Sequence, residues 1–578
     1  MSAFTEGAAE APETVALLAD RAMSANRRSS TRGTAVKNIA AMMGATLMLA
    51  APALAEPPRL ERRGEATQLV VDGKPMLLIA GELSNSAASS ATYMAPHWAK
   101  LRAMNLNAVL APVSWELIEP VEGRYDWSSL DVMLRESRAN DLKLVLLWFG
   151  AYKNSMSTYV PGWVKRDQVR FPRAGLPNGQ SVEILSTFGP EMIRADAGAY
   201  SAMLAHLKAV DGDRSTVVMV QVENEIGMLP VARDYSAAAN AAFAQPVPNE
   251  LTAYLTQHRD SLVPEMKAMW VERGARTQGS WAELFGDGDA AAEVFTAWHY
   301  ARFADALARA GKAAYALPMY VNVALNRPGR APGQYPSGGP LPHLIDVWKA
   351  GAPAIDLLAP DIYFSNFTQI VDRYHRPDNP LFVPEAHNAD NPIVPANAFY
   401  AFGERDAIGF GPFSIDSVDD EPGQLGAAYS VLRQLQPHIL AAQGSDRIAG
   451  FKPRQRYDDS LDYEPQVRRI GDYRFTVAFA DIERPAMTPE TAGYGGMIIH
   501  TGADEYLIAG QGITVTFSGA GEGPSLAGID RAEEGRFDSA GRWVGGRILN
   551  GDQTHQGRHV RLPAGQWGIQ KVRLYRYR

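Results

Sequence analysis

The 578-residue chain contains no cysteine, which excludes disulfides, thiolate zinc sites, iron–sulfur clusters and cysteine nucleophiles together. It also lacks a basic excess. Fifty-six Lys and Arg stand against 64 Asp and Glu, a formal net charge of −8, whereas a nucleic-acid partner usually demands a basic face. Hydrophobic residues make up 46% and charged residues 21%, so a disordered chain, a collagen-like repeat and a long coiled coil are all ruled out. Long hydrophobic runs are missing as well. Apart from one short Ala-rich stretch near the N-terminus, nothing is apolar enough to cross a membrane.

That stretch reads as an address. Arg27, Arg28, Arg32 and Lys37 precede IAAMMGATLMLAAPALA, which ends in Ala53-Leu54-Ala55. A basic region, a short apolar core and a small-x-small end make a secretory signal peptide, with Met23 as an alternative start. The expected organisation is therefore a signal peptide and extension over 1–55, a catalytic barrel over 56–440 and a β domain over 441–578. The product is expected to be exported, to the periplasm or the exterior, with no membrane span in the mature chain.

From residue 68 short apolar runs alternate with amphipathic stretches. QLVVDGKPMLLIAGE predicts a hairpin turning at Asp72-Gly73 and feeding a buried strand at 76–80. NAVLAPVSW, KLVLLWFG, TVVMVQVEN, LPMYVNVA, IDLLAPDIY, LFVPEAH and AIGFGPFSI supply seven more strands. Helical patterns such as HWAKLRAMNL, DVMLRESRANDL, AYSAMLAHLKAV and AWHYARFADALARAGKAAY separate several of them, and an Ala/Pro/Asn-rich insertion at 229–290 looks partly helical. Continuous apolar strands alternating with helices imply a parallel sheet buried on both faces, and eight such units imply an α/β fold of the (β/α)₈ TIM-barrel type. A doubly wound open sheet is the alternative, disfavoured because no glycine-rich phosphate fingerprint follows the first strand. Beyond residue 440 short alternating runs, among them YRFTVAFADI, GGMIIHT and ITVTFSG, predict an antiparallel β-sandwich.

Active sites of such barrels lie at the C-terminal strand ends. The acids at those ends are Glu82, Glu116, Glu119, Glu223, Glu225, Asp361, Glu385 and Asp416. A carboxylate is costly to desolvate without a partner, so a rim rich in them needs a chemical reason. Strand geometry puts Glu223 on the same face as Glu225, one layer below it, in a structural role. Glu119, beside Pro120, reads as a fold-stabilising acid, and His299 as a core histidine. No metal-ligand spacing appears, so neither a metal nor a cofactor is expected.

Two segments carry a resemblance. VQVENEIG (Val220–Gly227), taken with Pro384-Glu385-Ala386-His387, is similar to the signature of glycoside hydrolase family 35, the β-galactosidases. DGKPMLLIAGELSNS resembles that family's first strand. WAKLRAMNLNAVLAPVSWELIEPVEGRYDWSSLD resembles its next helix and strand, including the spacing of Trp115, Glu119-Pro120, Gly123 and Tyr125. The resemblance covers residues 68–437. It implies Glu225 as acid/base on strand four, Asn224 holding the sugar 2-hydroxyl, Glu385 as nucleophile on strand seven, and Tyr363 beside the nucleophile.

Two departures stand out. The segment after strand three, where the family carries an Ala-Glu pair, is Gly150-Ala151-Tyr152-Lys153-Asn154-Ser155-Met156, without a glutamate; a tyrosine common on strand two is Pro112. Sugar recognition is therefore rebuilt, with Tyr152, Lys153, Asn154 and Trp115 as candidate sugar contacts, and with Asn322 either a further contact or a satisfied buried amide. The expected activity is a retaining exo-glycosidase releasing terminal β-galactosyl residues from oligo- or polysaccharides, plant cell-wall glycans among them. The alternatives are another β-glycosidase of the clan, mannosidase-like or endo-acting, and a non-catalytic carbohydrate-binding protein.

Overall fold

A computed structural model describes residues 56–418, 423–480, 487–488 and 493–578. The expected signal peptide falls on 1–55, outside the described residues. Eight strand positions form one parallel ring: β1 Leu78–Glu82, β2 Ala108–Ser114, β3 Lys143–Phe149, β4 Val217–Gln221, β5 Met319–Ala324, β6 Leu357–Ile362, β7 in two pieces, Phe382–Val383 and Glu385–Ala386, and β8 Gly409–Phe410. Helices α1 His97–Ala103, α2 Ser128–Ala139, α3 Pro190–Asp211, α4 Asp289–Ala314, α5 Ile345–Gly351, α6 Phe367–Tyr374 and α7 Val394–Glu404 fall between successive strands, and α8 Gly423–Ala442 follows β8. The (β/α)₈ barrel expected from the apolar runs is thus the fold.

The ring closes at β7. Pro384, which has no N–H to give a ladder, divides it. Phe382 and Val383 pair with Gly409 and Phe410 of β8, whereas Glu385 and Ala386 pair with Asp361 and Ile362 of β6. β8 then pairs with β1 through Gly409–Leu78 and Phe410–Ile79. One strand position thereby serves both neighbours, each with two residues.

Strand residues alternate between two cores, because successive side chains point to opposite faces. Leu78, Ala80, Leu110, Val145, Leu147, Tyr320, Leu357 and Phe382 fill the barrel interior, joined by Leu69 and Val71 of an antiparallel three-stranded sheet that precedes β1. Ile79, Val109, Ala111, Leu144, Leu146 and Trp148 pack outward beneath the helices. The hairpin in that leading sheet turns at Asp72-Gly73 as expected. Both residues have positive φ, 51° and 73°, the requirement of a two-residue type I′ turn. The first barrel strand starts at Leu78, two residues later than the sequence pattern suggested. The 229–290 insertion contains the helices Ala237–Phe243, Asn249–Gln257 and Trp281–Phe285.

The C-terminal part is a sandwich of two antiparallel sheets, one of six strands starting at Ile448–Phe451 and one of four starting at Gln466–Ile470. The six-stranded sheet is covered on both faces. Ile498, Tyr506, Ile508, Val572 and Leu574 meet Phe475, Val477 and Val515 of the smaller sheet. Their alternating neighbours Met497, Ile499, Leu507, Ala509 and Ile569 join the barrel's helical core. The contact with α7 is close enough to need glycine on both sides: a Cβ on Gly403 would lie 3.0 Å from Gly450 Cα, and one on Gly450 2.9 Å from Glu404 N. Among the described residues no helix is long and apolar enough to cross a membrane.

Candidate active site

Four carboxyl groups converge where the strands end. Glu82 closes β1, Asp361 lies in β6, Glu385 opens the second half of β7, and Glu225 follows β4 by four residues. All four are buried. Carboxylate oxygens of Glu225, Asp361 and Glu385 lie within 4.8 Å of one another. Asn322 of β5 fixes two of these groups: its Oδ1 accepts the Glu225 backbone N–H at 2.9 Å and its Nδ2 donates to Asp361 at 2.7 Å. Tyr363, 41% exposed at the rim, donates its hydroxyl to Glu385 Oε2 at 2.6 Å. Asn154 donates to the Glu225 carboxyl, and Lys153 Nζ donates to Asn224 Oδ1 at 2.9 Å. Asn224 Nδ2 is buried with no protein partner, which leaves it a donor free for a ligand.

The local backbone explains how side chains from two loops meet. Past the ends of β3 and β4 the chain keeps pairing: Asn224 N donates to Tyr152 O, Asn154 N to Asn224 O and Ser155 N to Glu225 O, each at 3.2 Å. Asn154, Ser155, Glu223, Glu225 and His387 all hold left-handed φ values between 47° and 69°. Such positions cost non-glycine residues about 1–3 kcal/mol each and cluster where a site imposes its geometry.

These turns overturn one expectation. Glu223 lies beyond β4, so the alternation that placed it beneath Glu225 no longer applies there. It accepts the Tyr152 N–H at 2.6 Å and faces Asp196 of α3, which itself accepts from Trp148 Nε1 and Ala151 N, both at 2.8 Å. Gly150 leaves the room for this pair, since a Cβ there would come within 2.6 Å of Glu223 Oε1 and 2.7 Å of Asp196 Oδ1. Burial, then the charge of Asp196, pushes the Glu223 carboxyl up, and burial lifts Asp196 to about 6. The two accept the N–H groups of Ala151 and Tyr152 and so buttress that loop.

Two expected sugar contacts are corrected, and the choice left open for Asn322 is settled. Tyr152 is fully buried, donates to Leu185 O at 2.8 Å and packs edge-on against Tyr300 and Phe303. Trp115 is fully buried, with its Nε1 on Glu119 Oε2 at 2.8 Å and its ring edge-on to Trp163. Glu119 also accepts Gly123 N at 2.7 Å, so it ties down the loop, as its place beside Pro120 suggested. Asn322 is a satisfied buried amide that positions carboxyls. Of the other rim acids, Glu116 pairs with Lys165 at the surface and Asp416 accepts Ser84 N and Tyr93 OH. His299 sits among Phe188, Trp281 and Phe295, and burial lowers it to about 4. Glu82 and Asp361 stood among the rim acids in the sequence but nothing there distinguished them; only the closed ring shows them beside Glu385.

Four carboxyls in one buried space cannot all be charged. Burial first, then the negative charge of Glu385, raises Glu225 to about 7, against the downward pull of Lys153, Asp361 and Asn154. The same two causes in the same order push Glu82 and Asp361 well above the usual carboxylate range. Burial, then Glu385, likewise drives the Tyr363 hydroxyl up, so it stays a proton donor. With its pKa raised to about 7, Glu225 is suited to give and take a proton beside Glu385 near neutral pH. Glu225, Asp361 and Glu385 are also the acidic trio among the described residues close enough to share a cation, but Asn154, Asn322 and Tyr363 already donate to them.

Residues 68–270 match the family model described as Glycosyl hydrolases family 35, and residues 425–561 match the one described as Domain of unknown function (DUF5597). A β-galactosidase from Xanthomonas manihotis is 34% identical over 105 residues, which is 17% of this chain and 17% of that protein. The cold-adapted β-galactosidase from Rahnella sp. R3 has a similar structure, with a TM-score of 0.42 and 16% identity over 63% of this chain and 57% of that one. The catalytic domain of β-amylase from Paenibacillus polymyxa gives a TM-score of 0.41 and 12% identity over 60% of this chain and 94% of that one.

Proposed function

We propose, for a barrel whose first four strands match glycosyl hydrolases family 35, a retaining exo-glycosidase that releases terminal β-galactosyl residues from oligo- or polysaccharides. The observation that carries the reading is the pair of carboxyls on β7 and just past β4, Glu385 and Glu225, with oxygens within 4.8 Å; the rise of Glu225 to about 7 suits it to the acid's role. Retaining enzymes hold their two carboxyls ~5–5.5 Å apart, whereas inverting ones leave ~6.5–9.5 Å for a water. Glu385 lies outside the matched segment 68–270, so its role rests on geometry and on the resemblance of its local sequence.

In the first step a Glu385 oxygen attacks the anomeric carbon as the glycosidic bond breaks, and Glu225 gives its proton to the departing oxygen. A glycosyl-enzyme ester forms. In the second step the Glu225 carboxylate takes a proton from water, which attacks the same carbon and frees Glu385. Asn322 and Asn154 hold Glu225, Tyr363 holds Glu385, and the free Nδ2 of Asn224 is offered to the sugar 2-hydroxyl. Lys153 keeps Asn224 in that orientation through its Oδ1.

Plant cell-wall glycans are the proposed source of the galactose, and the signal-peptide-like sequence within 1–55 supports export to the periplasm or the exterior. The competing sugar is set by the loop after β3, where Lys153 and Asn154 stand in place of a glutamate. Turnover of chromogenic β-galactoside, β-glucoside and β-mannoside, with proton NMR of the first-formed sugar, tests the reading. Release of β-galactose first supports it. Release of the α-anomer overturns retention, a preference for mannoside or glucoside overturns the sugar, and no turnover of any of them favours a non-catalytic carbohydrate-binding protein.

A further inference from the structure

A second cavity opens beside the cleft, where the barrel meets the sandwich. It measures about 340 Å³, at the low end of the ~300–1,000 Å³ typical of ligand pockets and far larger than a single ion needs. The loops that carry the cleft residues run straight into it. His387 follows Glu385 by two residues and Ser365 follows Tyr363 by two, and both line the cavity. The rings of Tyr363 and His387 lie 6.3 Å apart, so the two spaces adjoin. The C-terminal part of the chain contributes Lys452, Gln455, Leu461 and Tyr494 to its lining.

Lys452 is the anomaly. The residue lines the cavity yet is only 4% exposed. Nζ donates to Asn397 Oδ1 at 2.5 Å and stands 5.3 Å from the centre of the Phe367 ring. Among the described residues no carboxylate comes within ion-pair distance of it. An ammonium has three protons to give, so donors remain without an acceptor. Burial alone pulls this lysine down to about 7. His387 Nε2 and Asn397 Nδ2 are buried without partners in the same neighbourhood. Among the described residues the one carboxylate on the cavity wall, Asp459, accepts the Ser365 hydroxyl at the exposed mouth. A buried cation with no counter-charge is costly unless something supplies one.

We propose that this seam cavity is a subsite for an acidic sugar: it takes a hexuronate unit of the glycan, with the carboxylate on Lys452 and the ring against Leu461 and Tyr494. That the ligand is a sugar rests on the glycosidase reading; that it is an anion rests on the cavity alone. The polysaccharide recognised is then one in which an acidic residue lies near the galactosyl terminus, and the β domain reads it.

Binding is measured without turnover, so the outcome is independent of hydrolysis. Methyl β-glucuronide, methyl β-glucoside and glucose 6-sulfate are titrated into the full chain by saturation-transfer NMR and calorimetry. The glucuronide binds at least tenfold tighter than the glucoside. Lys452→Met, which removes the charge, and Leu461→Trp, which fills the cavity from its rim, each abolish that preference. Glucuronide binding also takes up protons at pH 8, seen as a dependence of the heat on buffer ionisation. Equal binding of glucuronide and glucoside to the unmodified chain overturns the proposal, as does a preference that survives both substitutions. Tighter binding of glucose 6-sulfate than of the glucuronide overturns the assignment to a carboxylate. Failure of the chromogenic galactoside assay, with glucuronide binding intact, removes the glycosidase reading and leaves the anion site standing.

Discussion

Two lysines are buried at the C-terminal end of this barrel, and their surroundings are opposite. Lys153 sits among Glu82, Glu225 and Asp361, and its positive charge pulls all three carboxyls down against the upward push of burial. Lys452, across the wall formed by the β6 and β7 loops, has an amide and an aromatic ring for company. The first charge is matched from within the protein and tunes the acids of a reaction. The second is unmatched among the described residues and waits for a partner. The contrast separates chemistry from recognition: a site that performs proton transfer contains its own counter-charges, and a site that selects a ligand leaves one out.

The most severe way to break the chemical half is Glu385→Gly. Losing a covalent nucleophile should cost ~10⁴–10⁶-fold in kcat. External azide should restore turnover with inversion, giving an α-glycosyl azide by NMR; a fluoro-sugar inactivator that labels a different residue would displace Glu385 from the role. Glu225→Ala comes next, at ~10²–10⁴-fold on natural disaccharides, where the leaving group needs a proton. Dinitrophenyl galactoside needs none, so it should still form the glycosyl-enzyme, give a burst and, with azide, yield the β-glycosyl azide. Equal loss on both substrates with no burst would move the acid to another carboxyl of the cleft.

Lys452→Met probes the other half through stability. The lysine is lowered from its unfolded value near 10.4 to about 7 in the native state. Between those pH values the unfolded chain binds more protons than the native one, so stability rises with pH across this window. The thermal midpoint of the unmodified protein should therefore gain on that of Lys452→Met from pH 7 to pH 10. A constant difference between the two would mean Lys452 stays charged in its pocket. The smallest effect is expected from Asn154→Ala. Asn154 holds the Glu225 pKa down, so its removal raises that pKa, and the alkaline limb of kcat/KM should move to higher pH by less than about one unit. A shift toward lower pH would contradict the hydrogen bond seen here.

The barrel was legible because parallel strands are buried on both faces. AVLAPVS, KLVLLWF and VVMVQ are unbroken apolar runs, and each forms a strand there. β7 and β8 were legible only as positions, since their pairing amounts to two residues a piece. Glu225 and Glu385 could be singled out because they coincide with both a strand end and a resembling motif. Tyr152 and Trp115 could not be placed. Side-chain direction beyond a strand end depends on where the chain turns left-handed, and Asn154, Ser155, Glu223 and Glu225 do so without a glycine to announce it. The seam cavity left no trace in the sequence, for its walls are drawn from positions as far apart as Ser365 and Tyr494.

The doubly covered six-stranded sheet has a thermodynamic consequence. Met497 and Ile498 are neighbours in one strand, yet they belong to the cores on its two faces, and the described residues from 56 onward cluster as one compact body. Neither core survives without that layer, so barrel and sandwich should unfold in a single cooperative transition. Calorimetry is then expected to show one endotherm whose van't Hoff and calorimetric enthalpies agree. Two resolved peaks would mean the shared layer can detach from one partner while still serving the other.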